Sequence, residues 1–118
     1  MLNLSHKKLE VWKLSNELVK QLYKLTDNFP KNEIFGITNQ IRRAAVSIAS
    51  NLAEGCARKS SVEKKRFFEI ARSSLVEIDT QLEISSELKY IDKIEMDKLN
   101  EIFNKLFAKL SRLILNTK

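Results

Sequence analysis

The sequence predicts an all-α chain folded as an antiparallel, up-down-up-down four-helix bundle. Three observations point there. Apolar residues recur every three or four positions through four long stretches. Only two glycines and one proline are present, so the chain has few places to turn. No segment alternates apolar and polar residues between turn-forming pairs, so strands have no signal. The 118 residues suit a single domain over 1–118, with no repeat, linker or low-complexity segment to divide it.

The first helix is expected from about Lys7 to Thr26, with Leu9, Trp12, Leu18, Val19, Leu22 and Leu25 on its apolar side. Phe29-Pro30 ends the connection, because proline biases the residue before it away from helical backbone. The second helix starts between Asn32 and Gly36 and stops at Gly55, which reads as a left-handed cap. Ser60 with Glu63 is a capping-box pattern at the start of the third helix. Its stripe is Phe67, Ala71, Leu75, Ile78 and Leu82, and it ends near Lys89. Asp92 with Glu95 repeats the pattern before the fourth helix. There Leu99, Ile102, Phe103, Leu106, Leu110 and Leu113 form nearly a heptad seam.

The second helix carries the most information. Ile37, Ile41, Ala45, Ile48 and Leu52 make an apolar side, while Gln40, Arg43, Ser47, Asn51 and Glu54 make a separate polar stripe. Ala44, Ala45, Ala49, Ser50 and Ala53 between them are small enough for another helix to approach closely. A buried polar group without a partner costs roughly 1–3 kcal/mol. The stripe is therefore assigned to helix packing or subunit contact. Antiparallel packing would set Arg43 beside Glu69 or Glu77, and Glu54 near Lys65.

The net charge is +6, yet acids dominate from Glu77 to Glu101. The bases gather elsewhere. One cluster, Arg42, Arg43, Arg58, Lys59, Lys64, Lys65 and Arg66, brackets the turn between the second and third helices. Another, Lys105, Lys109, Arg112 and Lys118, lies in the last turns. Such clusters are either a solvated face or a phosphate-binding footprint, and a basic end opposite an acidic end also suits head-to-tail subunit contact. Trp12, Tyr23 and Tyr90 have faces that stack on bases, but at helical spacing aromatics belong more often to the core.

Catalytic patterns are missing. His6, the only histidine, reads as a surface residue at a frayed terminus. No Glu-x-x-His pair supports a di-iron or di-manganese bundle enzyme. Cys56 lacks a partner and reads as a buried structural thiol. Two glycines, Gly36 and Gly55, cannot build a phosphate loop. No catalytic residue, metal ligand or cofactor is assigned. A lone cysteine fits a reducing cytoplasm, and no stretch is apolar enough for a signal peptide or a membrane span.

The segment from Phe29 to Arg58, FPKNEIFGITNQIRRAAVSIASNLAEGCAR, resembles the signature of the four-helix bundle family that includes proteins encoded in 23S rRNA intervening sequences. Leu9, Val11 and Trp12 match its Leu-x-Val-Trp opening. Phe67, Ala71, Ser74, Leu75, Glu77, Gln81, Leu82 and Tyr90 fall where its pattern expects them. Ala49 stands where the family usually has proline, which should straighten the second helix, and Ser73 where it often has glycine. The resemblance implies an antiparallel bundle assembling as a homopentamer with a positively charged surface. It also implies kinship with the accessory variability determinants of diversity-generating retroelements, which associate with a reverse transcriptase and nucleic acid.

Together these readings give a non-enzymatic oligomeric bundle that binds structured RNA (rRNA) or a ribonucleoprotein. Arg42, Arg58, Lys59, Lys64, Lys65 and Arg66 form one strip, and Lys105, Lys109 and Arg112 a second. The alternative is an adaptor ring docking a protein such as a reverse transcriptase.

Overall fold

The computed structural model describes residues 1–118 and holds four α-helices and no strand. They are α1 (Glu10–Thr26), α2 (Ile37–Ala57), α3 (Ser61–Glu87) and α4 (Lys93–Asn116). Residue pairs across each interface show how they run. Ser47 meets Ser74 and Cys56 meets Lys64, so numbers rise along α2 as they fall along α3. Arg72 reaches Ser111 while Leu82 and Met96 line one groove, giving the same opposition for α3 and α4. Glu10 meets Lys105 and Lys109, and Leu25 shares a recess with Glu95, so α1 and α4 are also opposed. The helices form a ring in cross-section: each backbone approaches two neighbours and never the diagonal one. The α2–α3 interface is the most extensive and the α1–α4 seam the thinnest.

Four stripes converge on one core. Leu18 and Leu22 of α1, Ile41, Ile48 and Leu52 of α2, Ile78 of α3, and Leu106 and Leu110 of α4 are fully buried. Burying each such side chain contributes about 1.5–3 kcal/mol. The apolar side expected for α2 is buried from Ile41 to Leu52 as the periodicity requires, with Ile37 half-buried at its start.

Several expectations change at the ends. A 3-10 turn over Ser5–Lys8 precedes α1, and extended backbone at Leu9 delays the helix to Glu10. His6 is not a frayed surface residue. It is buried, with its ring edge-on to Trp12 at a centroid distance of 5.2 Å. The α1–α2 connection is longer than a tight turn and contains a 3-10 turn over Lys31–Glu33. Gly55 does not cap α2 in a left-handed conformation, because the helix continues to Ala57 and no glycine has positive φ. Gly55 is instead buried against the ring of Phe68, where an added Cβ would force the ring to shift. In α3 it is accordingly Phe68, not Phe67, that enters the core.

Caps follow the sequence more closely. Ser60 Oγ accepts from the Glu63 amide at 3.1 Å. At α4 the full reciprocal box forms between Asp92 and Glu95. The left-handed cap occurs at the end of α3, at Lys89 with φ 65°. The Lys89 amide donates to the Ser86 carbonyl and the Tyr90 amide to Ser85, which is the Schellman arrangement. Phe29 and Tyr90 then pack with ring centroids 5.6 Å apart and planes tilted by 54°, and the Tyr90 hydroxyl donates to Glu33 at 2.7 Å, tying the two loops of that end together. This bond raises the Tyr90 phenol above its usual range, with burial adding to the effect.

Candidate nucleic-acid interface

Antiparallel order decides which bases meet. The α2–α3 turn, the start of α1 and the end of α4 lie at one end of the bundle, joined by the Glu10 contacts and by a Ser61 hydroxyl bond to the Lys118 carbonyl. Arg58, Lys59, Lys64, Lys65 and Arg66 therefore lie toward the same end of the bundle as Lys109 and Arg112. Lys7, Lys8 and Lys118 join the same pole, an addition that needs the tertiary arrangement. Glu83, Glu87, Asp92, Glu95 and Asp97 lie toward the opposite pole.

Within the basic pole the side chains differ in what holds them. Arg58 pairs with Glu54 at 3.1 Å and lies over the Phe67 ring at 4.8 Å. Lys64 donates to the Cys56 carbonyl at 3.1 Å, so it caps the last turn of α2, where a cation also complements the helix dipole. Lys105 and Lys109 both reach the Glu10 carboxylate, at 3.7 and 3.3 Å. The hydrogen bond and charge of Lys109, helped by Lys105, hold Glu10 below the usual carboxylate range. Lys59, Lys65, Arg66 and Arg112 have no ion-pair partner within the chain. These four present unneutralised charge.

Arg42 stands apart from this group. Sixteen residues of helix separate it from Arg58, about 24 Å at 1.5 Å per residue. Its guanidinium lies over the Tyr23 ring at 4.6 Å and donates to Thr26 Oγ1 at 2.9 Å, to the Tyr23 carbonyl at 3.2 Å and to Asp27 at 2.9 Å. It is a clamp on the end of α1. A buried threonine, the Tyr23 carbonyl and Asp27 on the neighbouring helix end, invisible in the local sequence, distinguish it from a phosphate ligand.

The polar stripe of α2 splits in two. Ser47 bonds Ser74 across the helix interface at 3.1 Å, and Asn51 donates back to Ser47 Oγ at 2.9 Å. These are packing contacts. Arg43 shares an outer recess with Gln40 and Glu77 but makes no ion pair, and Glu69 does not line that recess. Glu54 pairs with Arg58 one turn on rather than with Lys65. Two buried oxygens in this region, Thr38 Oγ1 and Gln81 Oε1, lack partners.

Cys56 is half-buried, and desolvation pushes its thiol above the ordinary range against the opposing influence of Lys64. That direction is the reverse of what a nucleophile needs. No group of three His, Cys, Asp or Glu side chains is placed to hold a metal ion. No helix is long and apolar enough to cross a membrane.

Comparison with known proteins agrees with the architecture. The family model described as 23S rRNA-intervening sequence protein matches residues 7–112. Among solved structures, a protein of unknown function from the S23 ribosomal protein family of Bacteroides thetaiotaomicron is similar, with a TM-score of 0.78. The two are 23% identical, and the alignment covers 88% of this chain and 97% of that one. No curated protein matches.

Proposed function

This chain belongs to the 23S rRNA-intervening sequence protein family, and from that premise we propose that its basic pole binds structured RNA, without catalysis, through phosphate contacts. The observation that supports the reading is that Lys59, Lys65, Arg66 and Arg112, all without an ion-pair partner in the chain, belong to elements that share one end of the bundle. Lysines and arginines there displace counterions from phosphates, which gives weak sequence selectivity and steep salt dependence. Arg58, Lys64, Lys105 and Lys109 contribute field from positions fixed by their own contacts. Of the aromatic rings near these bases, Phe67 lies under Arg58 and Trp12 against His6, so neither is free to stack on a base.

The test is an anisotropy titration against a structured rRNA fragment at several salt concentrations. Combined reversal of Lys59, Lys65 and Arg66 to Glu should weaken binding and flatten the salt slope by about 0.7–0.9 per lost phosphate contact. Unchanged affinity in that variant would reject the reading.

A second reading, an oligomeric adaptor (a pentameric ring docking a protein such as a reverse transcriptase), is favoured by Arg43. Its guanidinium is exposed beside Gln40 with no ion pair in its own chain, as a subunit contact would need. Sedimentation of Arg43→Ala against the parent chain tests it.

A further inference from the structure

We propose that the groove between α3 and α4 docks a basic amphipathic helix of a partner protein, at a site distinct from the basic pole and independent of the RNA reading. Its floor is apolar, built from Val76, Leu82, Met96, Leu99, Phe103 and Phe107. Val76 and Phe107 remain 51% and 43% exposed, large fractions for apolar side chains. The recess measures about 260 Å³, below the roughly 300–1,000 Å³ of small-molecule sites, and suits a few inserted side chains rather than a cofactor. The Arg72 guanidinium, anchored on Ser111 at 3.1 Å and 5.8 Å from the Phe107 ring centroid, is not among the residues that line the groove.

Charge selects the occupant. The protein carries +6 overall, yet the only charged residues lining the groove are Asp79 and Glu83. With Glu87 they form an exposed row at four-residue spacing along α3, about 12 Å long at helical rise. Like charges at this spacing repel, and none of the three has an ion-pair partner. A helix inserting apolar residues at i, i+3 or i+4, and i+7 would set lysines or arginines of one flank against that row. The other wall offers Asn100 and Asn104, polar and uncharged, which tolerate the rest of the helix backbone.

The probe is a fluorescein-labelled synthetic helix with leucines at that spacing and lysines along one flank, followed by anisotropy with the full chain. Saturable binding is expected, weakened about tenfold by combined Asp79→Lys and Glu83→Lys and likewise by Val76→Glu. Circular dichroism should be unchanged in these variants, since all three side chains are exposed. The Lys59, Lys65, Arg66 reversal should leave peptide affinity unchanged, and the peptide should not displace bound RNA. Four results would overturn the proposal: no binding, equal binding of a peptide with glutamates for the lysines, equal binding by the Asp79→Lys, Glu83→Lys variant, or loss of self-assembly in sedimentation of Val76→Glu. The last would give the groove to a second copy of this chain.

Discussion

Gly55 offers the sharpest test of how α2 and α3 fit. A Cβ built at this position would lie 2.6 and 2.8 Å from two ring carbons of Phe68 and 3.2 Å from the Lys64 carbonyl oxygen. Overpacking of this kind costs about 1–3 kcal/mol. Replacing a helical glycine by alanine returns about 0.5–1 kcal/mol of backbone entropy. Gly55→Ala should therefore destabilise by about 1 kcal/mol net, a fall of about 4 °C in Tm for a domain of this size. In a Phe68→Leu background, itself costing up to about 1.5 kcal/mol, the ring clash is removed and only the 3.2 Å approach to the Lys64 carbonyl stays. There the same alanine should be neutral or stabilise by about 0.5 kcal/mol through helix propensity alone. Urea unfolding followed by circular dichroism, at several protein concentrations to detect any coupling of stability to assembly, measures all four chains. An equal cost of the alanine in both backgrounds would refute the steric argument.

Other consequences can be checked singly. Arg42→Ala should lose about 1–3 kcal/mol, because it removes charge-assisted hydrogen bonds to the Thr26 hydroxyl, the Tyr23 carbonyl and Asp27. Its RNA affinity should stay within about twofold of the parent, as a distant surface charge is screened over a Debye length of about 8 Å. Lys89→Gly should stabilise by about 1 kcal/mol, since its backbone is left-handed, with φ 65°; unchanged urea midpoints would contradict that. Glu10 is held below its ordinary range by Lys109 and Lys105, so the charged form is favoured in the fold. Its stabilising contribution is present above the ordinary carboxylate range and lost as pH falls through the depressed value. A carboxyl NMR titration of Glu10 should shift back up in the Lys105→Ala, Lys109→Ala double variant.

Four helices and both N-terminal cap residues are legible in the sequence because they depend on neighbours three or four positions away. Phe67 and Phe68 are not separable by that means. A repeat drifts over a helix as long as α3, and the choice between adjacent rings is made by the hole Gly55 leaves on α2. Gly55 itself reads like a terminator, since glycine near a helix end has two uses and only the partner helix tells them apart. His6 looks unconstrained until Trp12 folds over it. The basic pole was half visible: two sequence clusters marked it, but Arg42 entered by proximity in sequence, and Lys7, Lys8 and Lys118 joined only through the antiparallel order.

The thin α1–α4 seam divides the molecule by tempo. With the larger interface between them, α2 and α3 should hold the slowest-exchanging amides, while α1 and α4 part first and most often. Lys59, Lys65 and Arg66 then ride on the stiff hairpin as a fixed template, and Arg112 rides on the looser wing. An RNA larger than the pole would be met by a firm jaw and a compliant one. Amide exchange with and without RNA would show protection gained chiefly along α1 and α4.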